Sequence, residues 1–250
     1  MSTTKQRERA YAAKREAKWA ERLAARRARR RRLWTIVAFV SVVAVVGTIM
    51  IAALASSPDT SDDAAEPTTA PSADAYTLPD PSFAEGRTWT AAMTTSAGDL
   101  TLELDGAAAP QAVASFVYLA QQGYFDGTQC HRLTTGSIHV LQCGDPTATG
   151  SGGPGYTFGP VENAPADNVY PAGTIAMARV GNDGESMGSQ FFLVYEDSTI
   201  SPDSAGGYTV FGKITSGLDI VQAVADAGVT GGASDGAPVT PVTIEGVDTQ

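Results

Sequence analysis

The stretch Cys130-His131-Arg132-Leu133-Thr134-Thr135-Gly136-Ser137-Ile138-His139-Val140-Leu141-Gln142-Cys143-Gly144-Asp145 carries most of what this chain says about itself. Its second half, from Ile138, is an apolar run that reads as a strand, and Val140 and Gln142 fall on one strand face by the period of two. Beside it sits Arg132, one of only four basic side chains beyond residue 34, the others being Arg87, Arg179 and Lys213. A guanidinium beside a strand in so acidic a domain is costly to place unless something uses it. Downstream comes a second segment of the same interest, Gly188-Ser189-Gln190-Phe191-Phe192-Leu193.

Charge divides the chain. Residues 1–34 carry 13 Lys and Arg against three Glu, and the rest carries four basic and 24 acidic residues, so the stated net of −10 is the sum of +10 and −20. Such asymmetry points to a basic tail for a membrane or nucleic acid and a separate acidic globule. Between them Thr35 to Ala55 is 21 residues without a charge. At helical rise that length crosses a hydrocarbon core of about 30 Å. Arg29 to Arg32 precede the span and Asp59, Asp62, Asp63 and Glu66 follow it. The positive-inside bias then places the N-terminus in the cytoplasm and the bulk of the chain outside, as a single-pass cell-membrane protein. The alternative is a signal peptide cleaved after Ala55, since Ala53-Leu54-Ala55 has the small-x-small pattern. Residues 5–32 have helix-forming composition and lie directly against the span, which favours anionic lipid headgroups over nucleic acid. No nucleic-acid partner is expected.

Residues 56–88 are mostly Ser, Thr, Pro, Ala and Asp and read as a disordered linker. The folded part is then 89–250, ample for one core. Trp89 to Thr95, the turn signal Gly98-Asp99 and Leu100 to Leu104 read as a hairpin with alternating apolar residues. Pro110 opens a helix running to Gln122, with Val113, Phe116, Val117 and Ala120 at helical spacing and Gly123 at its end. Val140–Gln142, Thr174–Met177, Gln190–Val194 and Thr209–Ile214 are strand candidates, and Leu218 to Ala227 is a second helix. Many strands with one early and one late helix predict a mainly β fold, a closed or nearly closed barrel with helices over its ends.

Residues 89–230 resemble a cyclophilin-type peptidyl-prolyl cis-trans isomerase of a membrane-anchored bacterial, actinobacterial-like form. The matching segments are Phe116 to Ala120, Tyr124-Phe125-Asp126-Gly127-Thr128, His131-Arg132, Gln142-Cys143-Gly144-Asp145-Pro146, Thr149 to Tyr156, Gly173 to Ala178, Gly188 to Phe192 and Val210-Phe211-Gly212. The resemblance implies an eight-stranded antiparallel barrel capped by two helices. It implies isomerisation of the bond before proline, whose barrier is about 18–20 kcal/mol and whose uncatalysed exchange takes tens of seconds or longer. That reaction needs no nucleophile, metal or cofactor.

The resemblance assigns roles. Arg132 matches the catalytic arginine, able to stabilise the proline nitrogen lone pair as it localises, and Gln142 matches the glutamine that orients it. Phe192 matches the floor of the proline pocket, Val140 lines it, Gln190 contacts substrate backbone, and Ala178 and Arg179 match the segment that binds substrate main chain. Gly150 lies in the loop beside the residue preceding proline, and Ile200 supplies an apolar wall. His139 stands where the family has Phe, either as a flat, more polar pocket ring or as a loop histidine facing solvent. Arg179 stands where asparagine is usual and would add positive charge at the rim. Tyr208 replaces a common His, and no Trp occurs between Glu196 and Tyr208, so weak cyclosporin binding is implied. Cys130 and Cys143 flank the hairpin, and export would allow a disulfide between them. The alternative is two small buried residues.

The function implied is an isomerase assisting the folding of exported proteins at their X-Pro segments. The alternative is a proline-peptide-binding module or chaperone on the same fold without catalysis.

Overall fold

Leu100, Leu102 and Leu104 do alternate into a core. β1 (Thr88–Thr95) pairs with β2 (Gly98–Asp105) along its whole length, from Thr88 opposite Asp105 to Thr95 opposite Gly98. Thr95 Oγ1 ties the turn by donating to the Gly98 carbonyl and accepting from the Ala97 and Gly98 N–H groups. Gly98 has φ +144, a backbone conformation that favours glycine, so the turn signal read in the sequence marks a conformational need, while a Cβ there would meet the movable end of the Ile220 side chain, Cδ1 at 2.6 Å. These residues belong to a computed structural model that describes residues 76–250. The expected basic segment 1–34, the span 35–55 and linker residues 56–75 lie outside the described residues. Among the described residues no helix is long and apolar enough to cross a membrane.

The helix α1 (Pro110–Gln121) buries Val113, Phe116, Val117 and Ala120 as its spacing predicts. It has no side-chain cap of its own. Glu162 supplies one from a distant loop, its carboxylate accepting from the Gln111 and Ala112 N–H groups at 3.0 Å each. α2 (Leu218–Asp226) buries Val221, Val224 and Ala225.

The remaining strands are β3 (Gln129–Cys130), β4 (Arg132–Thr135), β5 (His139–Cys143), β6 (Val169–Tyr170), β7 (Thr174–Met177), β8 (Phe191–Val194), β9 (Ser198–Thr199), β10 (Val210–Ser216), β11 (Asp235–Gly236) and β12 (Val242–Thr249). Ten of the twelve form one curled sheet in the order β11-β4-β5-β8-β7-β10-β2-β1-β12-β3, while β6 and β9 form a separate ribbon. The expected count of eight is therefore corrected. Four strands of two residues make the difference, β6 and β9 in the ribbon and β3 and β11 in the main sheet. His131 interrupts an extended run whose first part, β3, pairs with β12 and whose second part, β4, pairs with β5. β11 adds to the free edge of β4. The curl brings β3 back to β5, where Gln129 bridges Asp145 and a Cys130–Cys143 disulfide joins the two strands.

The sheet has an apolar layer on each face. Leu133, Leu141, Leu193 and Ile175 are successive cross-strand partners on the face of the main core, with Phe116 and Phe211 in the same cluster. Val140, Ala176, Phe192 and Val194 lie on the opposite face in a smaller cluster with Tyr170 and Ile200. Every residue of β8 is buried for this reason, which is why its sequence reads as a continuous apolar run.

Residues 76–88, given by composition to the linker, pack on this unit. Trp89 donates its indole N–H to the Ala84 carbonyl at 2.8 Å. The Tyr76 ring lies edge-on to Tyr124 at 5.1 Å and its N–H donates to the Pro154 carbonyl. The few large apolar side chains of that segment, Tyr76 and Leu78 among them, are the ones used.

Candidate active site

The small cluster floors a cleft. Arg132 on β4 pairs with Gln142 on β5, Gln142 with Phe192 on β8, Phe192 with Ala176 on β7, and Ala176 with Val210 on β10. One cross-strand row thus runs from a cation through an amide to a phenyl ring. The next row, Thr134, Val140 and Val194, lies on the same face. The cleft has a volume of about 230 Å³ and is lined by Arg132, Thr134, Ile138, Val140, Gln142, Ala178, Arg179, Phe192, Ile200 and Tyr208. Phe192 is 5% exposed. Tyr208 stands edge-on to it at 5.5 Å, and Tyr170 on the β6–β9 ribbon holds Tyr208 by accepting its N–H at 2.8 Å.

A hydrogen-bonded chain runs along the rim. Arg132 Nη1 donates to Gln142 Oε1 at 3.2 Å, Gln142 Nε2 to Gln190 Oε1 at 2.8 Å, and Gln190 Nε2 to the Gly152 carbonyl at 2.9 Å. A guanidinium can only donate and a carbonyl can only accept, so both ends of the chain impose the same orientation on the two amides. The dipoles align head to tail and reinforce one another. At the other edge Arg132 Nε and Nη2 donate to the two oxygens of Asp235, each at 2.7 Å. Asp235 raises the pKa of Arg132, and the guanidinium in turn holds the carboxyl below its ordinary value. The arginine side chain is still 46% exposed.

Of the residues singled out in the sequence, Arg132, Gln142, Val140, Ala178, Arg179, Phe192, Ile200 and Tyr208 meet in this cleft. Gly150 and Gln190 line an adjoining pocket of about 470 Å³, which shares Gln142, Ala178 and Arg179 with the first. Gly150 has φ +82 and donates its N–H to buried Asp145.

Two expectations are corrected. His139 is not a pocket ring. One position out of phase with Val140 and Gln142, it turns to the other side of β5, where its ring meets Tyr195 at 5.6 Å and its Nε2 lies 3.9 Å from Glu196. Ile138 lines the cleft in its place. Arg179 does not add a charge to the rim. Its side chain is 1% exposed. It donates from Nη1 and Nη2 to Asp203 at 2.9 Å each, and to the carbonyls of Gly206 and Gly207. Its guanidinium also lies over the Tyr208 ring, 4.6 Å from the centroid. The arginine therefore pins the loop that carries Tyr208, and its charge is already matched. The cysteines do pair.

Three acidic residues of the site escaped the sequence reading. Asp235 lies in a two-residue strand with no periodicity to reveal it. Asp203 holds Arg179, which pulls its carboxyl well below the usual range. Burial alone would raise the Asp145 carboxyl, but hydrogen bonds from the Thr147 hydroxyl and N–H and from the Gly152 and Gly150 N–H groups outweigh it and bring the pKa down to about 2. Only Asp145 had a visible signal, its place in Gly144-Asp145-Pro146. Among the described residues no cluster of three His, Cys, Asp or Glu could hold a metal ion.

What remains is an apolar recess wide enough for a small ring, with one oriented cation at its lip and backbone amides nearby. Residues 90–249 match the model of the family described as cyclophilin type peptidyl-prolyl cis-trans isomerase/CLD, and the chain belongs to that family. The probable peptidyl-prolyl cis-trans isomerase B of Mycobacterium tuberculosis (strain ATCC 25618 / H37Rv) is 48% identical over 167 residues, covering 62% of this chain and 52% of the relative. Its counterpart in Mycobacterium leprae is 43% identical over 200 residues, covering 75% and 64%. The chain thus spans about half the length of the first of these relatives. Peptidyl-prolyl cis-trans isomerase B of Bacillus subtilis is 42% identical over 130 residues, 85% of its own length. Among solved structures, a Cryptosporidium parvum cyclophilin type isomerase superposes with a TM-score of 0.55 at 26% identity, covering 66% of this chain and 98% of that one. The same protein solved in the presence of the dipeptide Ala-Pro gives 0.54 at 27%.

Proposed function

We propose that the chain is a peptidyl-prolyl cis-trans isomerase acting on X-Pro segments of exported proteins outside the cytoplasmic membrane. The observation that carries this reading is the row Arg132–Gln142–Phe192, which sets a fixed guanidinium at the lip of an apolar recess. In the proposed mechanism the proline ring sits against Phe192, Val140, Ile200 and Tyr208. Gln190 and the Ala178–Arg179 backbone hold the flanking main chain, with Gly150 beside the residue before proline. As the amide twists, the nitrogen lone pair localises, and an Arg132 N–H donates to it. Such a preorganised donor acts without reorganisation at the moment of reaction.

The location rests on the neutral run 35–55 and the opposite charges on its flanks. Residues 35–55 serve as the bilayer anchor, 1–34 lie in the cytoplasm with 5–32 against anionic headgroups, and residues 56–75 space the domain from the surface. The Cys130–Cys143 bond supports this placement, because disulfides persist in oxidising compartments.

One observation favours a peptide-binding module instead: Asp235 already occupies two N–H positions of Arg132. A single experiment separates the readings. The full chain in sealed right-side-out vesicles is expected to speed isomer exchange of a membrane-impermeant proline peptide, and inverted vesicles are not. Arg132→Ala is expected to lose about 100-fold in kcat/KM with an unchanged circular dichroism spectrum. Full turnover in that variant removes the mechanism, activity only in inverted vesicles removes the location, and binding without acceleration by the wild type selects the module.

A further inference from the structure

We propose that Asp235 is a positioning residue for Arg132, gripping the Nε–Nη2 edge of the guanidinium so that Nη1 is aimed at Gln142 and the cleft. The inference rests on the isomerase reading above and assigns a role within the same site. The register makes the contact possible. Asp235 lies opposite Thr134, and Arg132 is two residues before Thr134 on the same face, so the carboxylate reaches the guanidinium diagonally across the ladder.

Glycines shape the chain just before this strand and within it. Gly231, Gly232 and Gly236 all have positive φ, and a Cβ at Gly236 would lie 3.1 Å from Val229 Cγ1. Two contacts of 2.7 Å in a fork arrangement fix a plane and a direction. The single 3.2 Å contact to Gln142 leaves rotation free. A half-exposed arginine without Asp235 would sample solvent through several rotamers and occupy the productive one part of the time.

An exposed ion pair of this kind adds little to stability, so its effect belongs in turnover. The test uses the full chain with Asp235→Ala and Asp235→Asn. Expected is a fall in kcat of about 10-fold for Asp235→Ala, within the range that misplacement of a catalytic group produces. KM is expected to stay within about twofold and the unfolding midpoint to stay unchanged, and Asp235→Asn, which keeps one acceptor, is expected to recover part of the loss. In ¹⁵N spectra the Arg132 Nε–H is expected to exchange slowly with water in the wild type and to be lost in Asp235→Ala. Unchanged kcat in Asp235→Ala overturns the proposal, and so does a rise in KM alone, which would put Asp235 in contact with substrate. Should the wild type show no acceleration, the isomerase reading fails by itself. The Nε–H signal then decides the positioning role, which stands if the signal is lost in the variant and falls if it persists.

Discussion

Asp145 has no exposed surface, yet its carboxylate accepts from the N–H groups of Thr147, Thr149, Gly150 and Gly152 and from the Thr147 hydroxyl. It organises the glycine-rich loop to whose Gly152 carbonyl Gln190 is bonded. Its folded pKa of about 2 lies below the usual value near 3.9. A depressed carboxyl contributes stability that is fully present above the unfolded pKa and is lost as pH falls through the folded one. The thermal midpoint should therefore drop between about pH 4 and pH 2, and Asp145→Asn should be less stable at neutral pH with a shallower acid slope. An equal acid slope in the variant would show that other carboxyls carry it. At this scale the sequence was legible where period two or a motif applied: Val140, Gln142 and Phe192 all land where they were read. It was illegible where a side chain's partner comes from a distant loop. Nothing near Arg179 announces Asp203 as its partner, so a buried, matched cation read as a rim charge.

The same division holds for elements. β7 and both helices appear almost to the residue, because their apolar spacing survives locally. β12 is long and was not read at all. Its pairing with β1 slips between Thr94, opposite Gly246, and Thr95, opposite Ile244. That bulge shifts the parity, so the buried Val242, Ile244 and Val247 do not alternate regularly. α1 shows a related effect, since the cap its own sequence lacks comes from Glu162. Replacing that residue by Ala should cost about 1 kcal/mol, the usual value of an N-terminal cap. Urea unfolding would read this as a lower midpoint at constant slope. A midpoint equal to wild type would mean that water serves the Gln111 and Ala112 N–H groups as well as the carboxylate does.

Over the whole described domain, nineteen carboxylates face four basic side chains. All four cations are ion-paired: Arg87 with Glu85, Arg132 with Asp235, Arg179 with Asp203 and Lys213 with Glu103. The field outside the protein is accordingly negative, and it attracts cationic chains. Peptides with Lys beside proline should show a several-fold higher kcat/KM than Glu counterparts at about 0.01 M salt, where screening extends over about 30 Å. The two should converge near about 1 M, where it extends over about 3 Å. A preference that ignores salt would have to arise inside the cleft. The bond between Cys130 and Cys143 bears on a different property. It closes a covalent ring of chain, and Arg132 and Gln142 are both inside it. Breathing of the outer strands can therefore separate neither from the other by more than that small ring permits. Arg132 and Gln142 thus share a covalently closed segment, while Phe192, Ile200 and Tyr208 lie outside it, so a partial opening of the domain can widen the recess without parting the two.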